Sequence, residues 1–96
     1  MKKLNELIEC SFDNEIFGVV DDSRNVKQGF LFVATKGYYV DHFDFINDAI
    51  DRGAVAIVCD RNIDIDVPLI VVDNINDYYI DICSIFMVFI LQNLIL

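Results

Sequence analysis

The sequence predicts a small single α/β domain in which a mixed sheet of about four strands carries helices packed on it. The chain has 96 residues, 55% hydrophobic and 24% charged, which is enough apolar material for one packed core and too much for a disordered chain. A segment with helical periodicity precedes a continuous apolar run, and this alternation is typical of α/β sheets. The four runs that indicate strands are residues 16–20, 30–35, 54–59 and 69–72.

The amino-terminal stretch, residues 1–10, predicts a short amphipathic helix. Leu4, Leu7 and Ile8 recur at helical spacing after two lysines. A secretory signal peptide would need a longer apolar core directly after the lysines, and Asn5 and Glu6 interrupt it. Secretion is therefore not indicated.

The first two strands, residues 16–20 and 30–35, are predicted to be neighbours in the sheet. β-Branched and aromatic residues fill the first run, polar residues 21–24 follow it, and Gly29 and Gly37 delimit the second run. The connection between them is too short for a crossover helix. We therefore expect a loop or a hairpin at this point.

A helix and a buried strand are predicted after residue 40. The apolar residues of the helix keep the spacing of one buried face, and they are Phe45, Ile46, Ala49 and Ile50. Asp41 or Asp44 is placed to cap its start, and Gly53 lies just past its end. The continuous apolar run 54–59 is typical of a strand covered on both faces. Pro68 then marks the entry to the fourth strand.

The carboxyl-terminal segment, residues 75–96, is long enough to be a helix packed on the sheet, but from Ile80 onward it is apolar nearly all round. Three alternatives follow: an element buried on the sheet or in an oligomer, a poorly ordered end, or a segment in contact with a membrane. A membrane span needs about 20 predominantly apolar residues. This run is shorter, carries Asp81 near its start and lacks flanking lysines or arginines, which argues against a span.

Charge and cysteine usage exclude several classes of function. Sixteen acidic residues against seven basic ones give a net charge of −9, so nucleic-acid binding is not expected. Cys10, Cys59 and Cys83 lie far apart without a Cys-x-x-Cys pair, which predicts neither a disulfide framework nor a zinc site. Cys59 and Cys83 lie in apolar runs and are predicted to be buried, and His42 has no Cys or His companion at ligand spacing. A reducing, cytoplasmic setting is expected.

A set of short motifs follows in one order and at one spacing. The motifs are Asp22-Ser23-Arg24, Val26-Lys27-Gln28-Gly29, Leu31-Phe32-Val33-Ala34, Lys36-Gly37, Asp41, Asp44-Phe45-Ile46, Ala49-Ile50 and Gly53-Ala54-Val55-Ala56. Together they resemble the amino-terminal domain of the Mur ligases, bacterial enzymes of peptidoglycan (cell-wall) synthesis. Within that family they are most similar to the ligases that add diaminopimelate or lysine to UDP-N-acetylmuramoyl-L-alanyl-D-glutamate. The resemblance covers roughly residues 16–75.

The resemblance implies a site for the UDP part of a UDP-N-acetylmuramoyl peptide. It assigns residues 1–77 to a UDP-precursor-binding domain and leaves residues 78–96 as an atypical apolar segment. By position, Ser23 would hydrogen-bond the uridine diphosphate, and the 38–40 loop would line the uracil pocket. Loops at strand ends supply the flat wall and fixed polar groups that a nucleoside needs. The implied substrate-binding residues are Asp21, Ser23, Tyr38, Tyr39 and Val40.

Asp22 and Arg24 are assigned supporting roles. Asp22 is expected to fix the loop as a hydrogen-bond acceptor. The guanidinium of Arg24 would either counter diphosphate charge or pair with Asp22. No catalytic residue and no metal ligand is predicted.

Departures from the family pattern concern both the loop and the rest of the enzyme. Phe30 stands where the family usually has Asp, His42 and Phe43 stand where it has Gly-His, and Asp21 stands where an apolar residue is common. The phosphate loop ending in Gly-Lys-Thr is not present, so ATP and Mg²⁺ are expected to be handled by other domains. The chain alone is therefore expected to be non-catalytic, as a truncated or frame-shifted product or an isolated domain.

Two other functional classes are compatible with parts of the sequence. Acidic residues at two strand ends, Asp21-Asp22 and Asp60, resemble the pocket of a phosphoacceptor receiver domain, but no helix separates the first two strands. A non-catalytic assembly domain would instead use the apolar segment, with self-association through residues 80–96.

Overall fold

The computed structural model of this chain describes residues 2–3, 15–37 and 41–94. The strands in these ranges are β1 (Lys2–Lys3), β2 (Glu15–Ile16), β3 (Gly18–Val20), β4 (Phe30–Val33), β5 (Ala56–Cys59) and β6 (Leu69–Val71). The α-helices are α1 (Ile46–Asp51) and α2 (Ile75–Leu94), and short 3-10 turns span Ser23–Asn25 and His42–Phe45.

Four strands form one parallel sheet in the order β3-β4-β5-β6. The predicted α/β class and the number of strands are confirmed. The sheet is parallel throughout, so the antiparallel pairing expected in a mixed sheet is confined to a separate pair, β1 with β2. Lys2–Lys3 therefore lies in a strand rather than in the predicted first helix, and residues 4–10 of that helix lie outside the described residues.

The connection between β3 and β4 decides between the two expected alternatives, a loop and a hairpin, in favour of a loop. The two strands are neighbours, as predicted, but they run parallel and are not joined by a hairpin. Because β3 has only three residues, its length is about 10 Å at 3.3 Å per residue. The short 3-10 turn at Ser23–Asn25 can therefore return the chain to the start of β3 without a full crossover helix.

The sheet is covered on both faces, because its strands alternate their side chains between two cores. One core joins the sheet to α2, and its buried residues are Ile16, Leu31, Val33, Ala56, Val58, Ile75, Ile82 and Phe86. The other joins the sheet to α1, and its buried residues are Val26, Phe32, Ala34, Ile46, Ala49, Ala54, Ile57 and Cys59. The predicted burial of the third strand and of Cys59 is confirmed, whereas Cys83 is only half-buried and Cys10 lies outside the described residues.

The ends of α1 follow from local chemistry. Asp41, one of the two predicted caps, accepts a hydrogen bond from the Phe43 amide at 3.0 Å and starts the 3-10 turn that leads into the helix. Gly53 ends the helix with φ of 114°, a conformation that side chains rarely adopt. A Cβ at Gly53 would lie 2.8 Å from the Cα of Gln28, so the glycine also allows two backbone segments to approach closely.

The predicted carboxyl-terminal helix is present as α2 and packs on the sheet. Ile75, Ile82 and Phe86 recur at helical spacing and enter the core. Ile80, Ile85 and Met87 on the same helix are exposed apolar side chains. Among the described residues, no helix has the length and hydropathy needed to cross a membrane. Self-association through residues 80–96 stays a prediction.

Candidate functional site

A cleft of about 410 Å³ lies beside the turn that follows β3. One wall is the turn at Ser23–Asn25, and the other is the 3-10 turn at His42–Phe45 together with the start of α1. Ligands of open α/β sheets bind at this carboxyl-terminal edge, where the strands end. The residues that line the cleft are Asp22, Ser23, Arg24, His42, Phe45 and Asp48.

Asp22 and Arg24 hold the first wall through contacts made within the turn. The Asp22 carboxylate accepts the backbone N–H of Arg24 at 2.9 Å and the guanidinium Nη2 at 2.7 Å. These hydrogen bonds lower the pKa of Asp22 to about 2, because they stabilise the ionised carboxylate. The Asp22–Arg24 pairing that the sequence left open is therefore present, and Asp22 accepts hydrogen bonds within the turn.

Ser23 lies at the base of the cleft and is nearly buried, with 4% of its surface exposed. The pKa of Asp48 is lowered, mainly by a hydrogen bond from the Ser23 side chain and to a smaller extent by one from the Arg52 side chain. Arg52 Nε lies 3.1 Å from Asp48 Oδ2 across one helical turn. The turn after β3 is thus fastened to α1 through Asp48.

Asp21 is turned toward a different set of partners. Its carboxylate accepts a hydrogen bond from the Thr35 hydroxyl at 3.0 Å, and the same hydroxyl lies 3.1 Å from His42 Nδ1. On the other side, Tyr79 of α2 hydrogen-bonds to Asp21 and to Cys83, and burial together with these contacts raises the pKa of Tyr79. Asp21 therefore connects the end of β3 to the end of β4, to His42 and to α2.

The two ends of the 38–40 loop are tied together at its base. Lys36 and Asp41 form an isolated antiparallel bridge. The Asn76 side-chain amide, from the first turn of α2, accepts the Lys36 N–H at 2.8 Å and donates to the Lys36 carbonyl at 2.8 Å. An amide that bonds both backbone groups of one residue acts like a neighbouring strand. α2 therefore sets the position of the loop base.

A charged cluster borders this loop base. Lys36 Nζ lies 2.6 Å from Asp60 Oδ2, and Arg61 contacts Asp60 at 2.9 Å and Asp41 at 3.4 Å. Hydrogen bonds from Lys36 and then Arg61 lower the pKa of Asp60. The Arg61 guanidinium also lies 3.9 Å from the centroid of the Phe43 ring, a cation–π contact. Two basic side chains thus offset the carboxylate of Asp60 at the end of β5 and that of Asp41 at the loop base.

The structure brings part of the sequence-predicted site together. Ser23, Asp22 and Arg24 line the cleft, whereas Asp21 contacts Thr35 and is not among the lining residues. Tyr38, Tyr39 and Val40 lie outside the described residues. The sequence reasoning missed the residues that come from other segments: Thr35, His42, Phe45, Asp48, Asn76 and Tyr79. Their one sequence signal was the unusual His42 after the loop aspartate.

Comparison with known proteins identifies the family. The family model described as "Mur ligase family, catalytic domain" matches residues 15–87, which include the sheet, the cleft and most of α2. The chain belongs to the Mur ligase family. Within the described residues of this Mur ligase chain, no group of three His, Cys, Asp or Glu side chains is arranged to hold a metal ion.

Two similar curated relatives of this Mur ligase chain carry the same name. The UDP-N-acetylmuramoyl-L-alanyl-D-glutamate--2,6-diaminopimelate ligase of Bacillus cereus is 46% identical over 80 residues, which cover 75% of this chain and 16% of the relative. The ligase of the same name from Bacillus licheniformis is 48% identical over 60 residues, covering 62% of this chain and 12% of the relative. The chain thus spans less than a fifth of the length of these relatives.

Solved structures of Mur ligases share the fold. A crystal structure of MurF from Acinetobacter baumannii matches 70% of this chain and 15% of that chain, with a TM-score of 0.64 and 25% identity. The MurF ligase of Thermotoga maritima, in complex with ADP, matches 67% of this chain and 14% of that chain, with a TM-score of 0.57 and 33% identity. Neither the receiver-domain class nor the assembly-domain class gains support from these comparisons.

Proposed function

We propose that this chain binds the UDP part of a UDP-N-acetylmuramoyl peptide, as the nucleotide-anchoring domain of a Mur ligase that extends UDP-N-acetylmuramoyl-L-alanyl-D-glutamate. The observation that carries the proposal is the position of the cleft. It opens at the Asp22-Ser23-Arg24 turn, inside the segment that matches the family. The names of the curated relatives supply the substrate class.

The lining of the cleft suits a nucleotide. Phe45, which is 42% exposed, and His42 present two rings whose centroids lie 6.5 Å apart at a tilt of 52°. Flat walls with a few fixed polar groups are typical of nucleoside pockets. The two acidic side chains in the lining are already paired, Asp22 with Arg24 and Asp48 with Arg52, which limits their repulsion of a diphosphate.

Arg24 is compatible with both roles that the sequence suggested. Its contacts with Asp22 use Nε and Nη2, and its side chain is 80% exposed. A guanidinium has five N–H donors. The donors that point away from Asp22 can therefore bind a phosphate oxygen while the Asp22 pair holds the turn in place.

Ser23 would bind the nucleotide as an acceptor while its proton stays directed at Asp48, since a hydroxyl combines one donor with two lone pairs. Asp21 would contribute indirectly, because it hydrogen-bonds to Thr35 and Thr35 contacts His42 in the cleft wall. We assign the uracil wall also to Tyr38, Tyr39 and Val40, on the strength of the resemblance. Ligation chemistry, with ATP and Mg²⁺, is assigned to other domains of such a ligase, and the setting to the cytoplasm.

The test is a titration of ¹⁵N-labelled protein with UDP and with UDP-N-acetylmuramoyl-L-alanyl-D-glutamate, followed by amide chemical shifts. We expect shifts at Ser23, Arg24 and the 38–40 loop. Ser23→Ala should weaken UDP binding about 2- to 10-fold, since one hydrogen bond contributes about 0.5–1.5 kcal/mol. Ser84→Ala, which removes an exposed hydroxyl from α2, is the matched control and should bind UDP like the parent chain. Unchanged spectra at about 1 mM ligand would refute the proposal.

A further inference from the structure

His42 is held by a short chain of hydrogen bonds that begins behind the cleft. It is the single histidine among the 96 residues. Its Nδ1 lies 3.1 Å from the Thr35 hydroxyl oxygen, which lies 3.0 Å from Asp21 Oδ2. Thr35 is buried, with 6% of its surface exposed. The buried Thr35 hydroxyl therefore has two hydrogen-bond partners, Asp21 and His42.

Proton counting along this chain fixes the protonation pattern of the imidazole. An ionised carboxylate only accepts hydrogen bonds, and a threonine hydroxyl has one proton to donate. Thr35 therefore donates to Asp21 and must accept from His42, which requires a proton on Nδ1. A neutral imidazole carries a proton on one nitrogen only, so Nε2 keeps its lone pair.

A second donor supports this direction. The Tyr79 side chain hydrogen-bonds to Asp21 from α2 and stays protonated, because burial and the nearby carboxylate raise the pKa of its phenol. Asp21 thus accepts from Tyr79 and from Thr35. The Asp21 carboxylate is therefore the acceptor of both hydrogen bonds, in the same direction as the Thr35 bond.

The His42 side chain also belongs to the wall of the cleft. His42 is half-exposed and lines the cleft beside Phe45. Nε2 lies across the ring from Nδ1, and within the part of the chain that the structure describes the His42 ring hydrogen-bonds through Nδ1. The cleft therefore contains a neutral acceptor, whereas the acceptors on Asp22 and Asp48 are already paired with arginines.

We infer that Asp21 and Thr35 lock His42 in its Nδ1–H form, so that Nε2 selects a ligand with an N–H or O–H donor at this point of the cleft. The ligand half of this inference rests on the proposed function and identifies the donor as belonging to the nucleoside. The imide N–H of uracil and a ribose hydroxyl are the two donors of that kind. If the imide is the donor, cytosine is rejected, because its corresponding ring nitrogen is an acceptor and would place a lone pair against the lone pair of Nε2. Thr35 is a positioning residue in this scheme, and His42 is a specificity-determining residue.

The protonation pattern can be read in the ligand-free protein by long-range ¹H–¹⁵N correlation of the imidazole. The spectrum should be recorded on tag-free chain at about pH 8, above the ordinary imidazole pKa of about 6.5. We expect a protonated Nδ1 and an unprotonated Nε2. Thr35→Val removes the hydroxyl at similar volume and should shift the proton toward Nε2, whereas Thr35→Ser should retain the parent pattern. A protonated Nε2 in the parent chain overturns the inference without need of any variant.

Ligands that lack one donor each identify the bonded group. UDP should move the Nε2 resonance upfield, as expected for a nitrogen that accepts a hydrogen bond. CDP should leave the resonance in place if the imide is the donor, and should move it as UDP does if a ribose hydroxyl is the donor. If the imide is the donor, N3-methyl-UDP loses the effect; if a ribose hydroxyl is the donor, 2′-deoxy-UDP or 3′-deoxy-UDP loses it. UDP binding without any displacement of Nε2 refutes the ligand half.

Affinity separates positioning from a structural role. Thr35→Val should weaken UDP binding about 2- to 10-fold and Thr35→Ser should restore it, with amide spectra confirming that both variants fold. Equal UDP affinity in Thr35→Val and the parent chain contradicts the positioning role. Absence of any UDP-induced shift refutes both the proposed function and the inferred hydrogen bond from the ligand to Nε2. The Nδ1–H form of His42 is tested separately, by the ligand-free spectrum.

Discussion

The two walls of the cleft are held in different ways. The turn after β3 is fixed by Asp22 and Arg24, two positions apart, with four hydrogen bonds between them. The opposite wall depends on contacts between distant segments. Thr35, which contacts His42, also hydrogen-bonds to Asp21. The base of the 38–40 loop is held by Asn76, which lies 40 residues after its partner Lys36. One wall is therefore local and the other is assembled by tertiary packing.

This difference assigns a function to the apolar carboxyl-terminal helix. α2 contributes Ile82 and Phe86 to the core, Asn76 to the loop base and Tyr79 to the Asp21 network. Changes that loosen α2 should therefore disturb the assembled wall and leave the local wall in place as long as the sheet stays folded.

The largest effect is expected from Ile82→Ala, which detaches α2 from the sheet. Ile82 is 1% exposed in the core, and truncation of a buried isoleucine lowers the free energy of unfolding by about 2–5 kcal/mol. Ile80→Ala is the matched control, because Ile80 lies on the same helix and is 62% exposed; a change within about 0.5 kcal/mol is expected there. Urea unfolding followed by circular dichroism measures both. Equal losses in the two variants would contradict the packing of α2 described here.

An intermediate effect is expected from Asn76→Ala, which removes both hydrogen bonds to the Lys36 backbone. At about 0.5–1.5 kcal/mol per hydrogen bond, the loss of stability should be about 1–3 kcal/mol. The Lys36 amide should exchange faster with deuterium, while amides of the Asp22–Arg24 turn keep their rates. Asn47→Ala, an exposed change on α1, controls for loss of an asparagine. Unchanged exchange at Lys36 would show that α2 does not hold the loop base.

The smallest effect on stability is expected from Arg24→Gln, but it should change the titration of the local wall. Removing the guanidinium should raise the pKa of Asp22 from about 2 toward the ordinary value of about 3.9. Because the folded-state pKa is depressed, the pair stabilises the fold above the unfolded-state pKa, and this contribution is lost as pH falls through the folded-state value. The shift is measured by NMR titration of the Asp22 carboxyl carbon. Arg52→Gln, whose partner is Asp48, should leave the Asp22 titration unchanged.

Much of the fold follows from local patterns that the sequence displays. The apolar run of β4 between two glycines, the buried run of β5 and the glycine stop at Gly53 predicted the α/β class and most element positions. The direction of β4 relative to β3 did not follow, because a short connection favours a hairpin unless the strands are themselves only three or four residues long.

The candidate site divides along the same line. The sequence by itself determined the Asp22–Arg24 turn, its place at a strand end and the family to which the chain belongs, because each depends on residues close together or on motifs in order. Only the tertiary structure brought Thr35 against His42, Tyr79 near Asp21 and Asn76 to the base of the 38–40 loop. Their contacts join separate strands, a loop base and a helix, and such contacts exist only once the sheet has paired and α2 has packed against it.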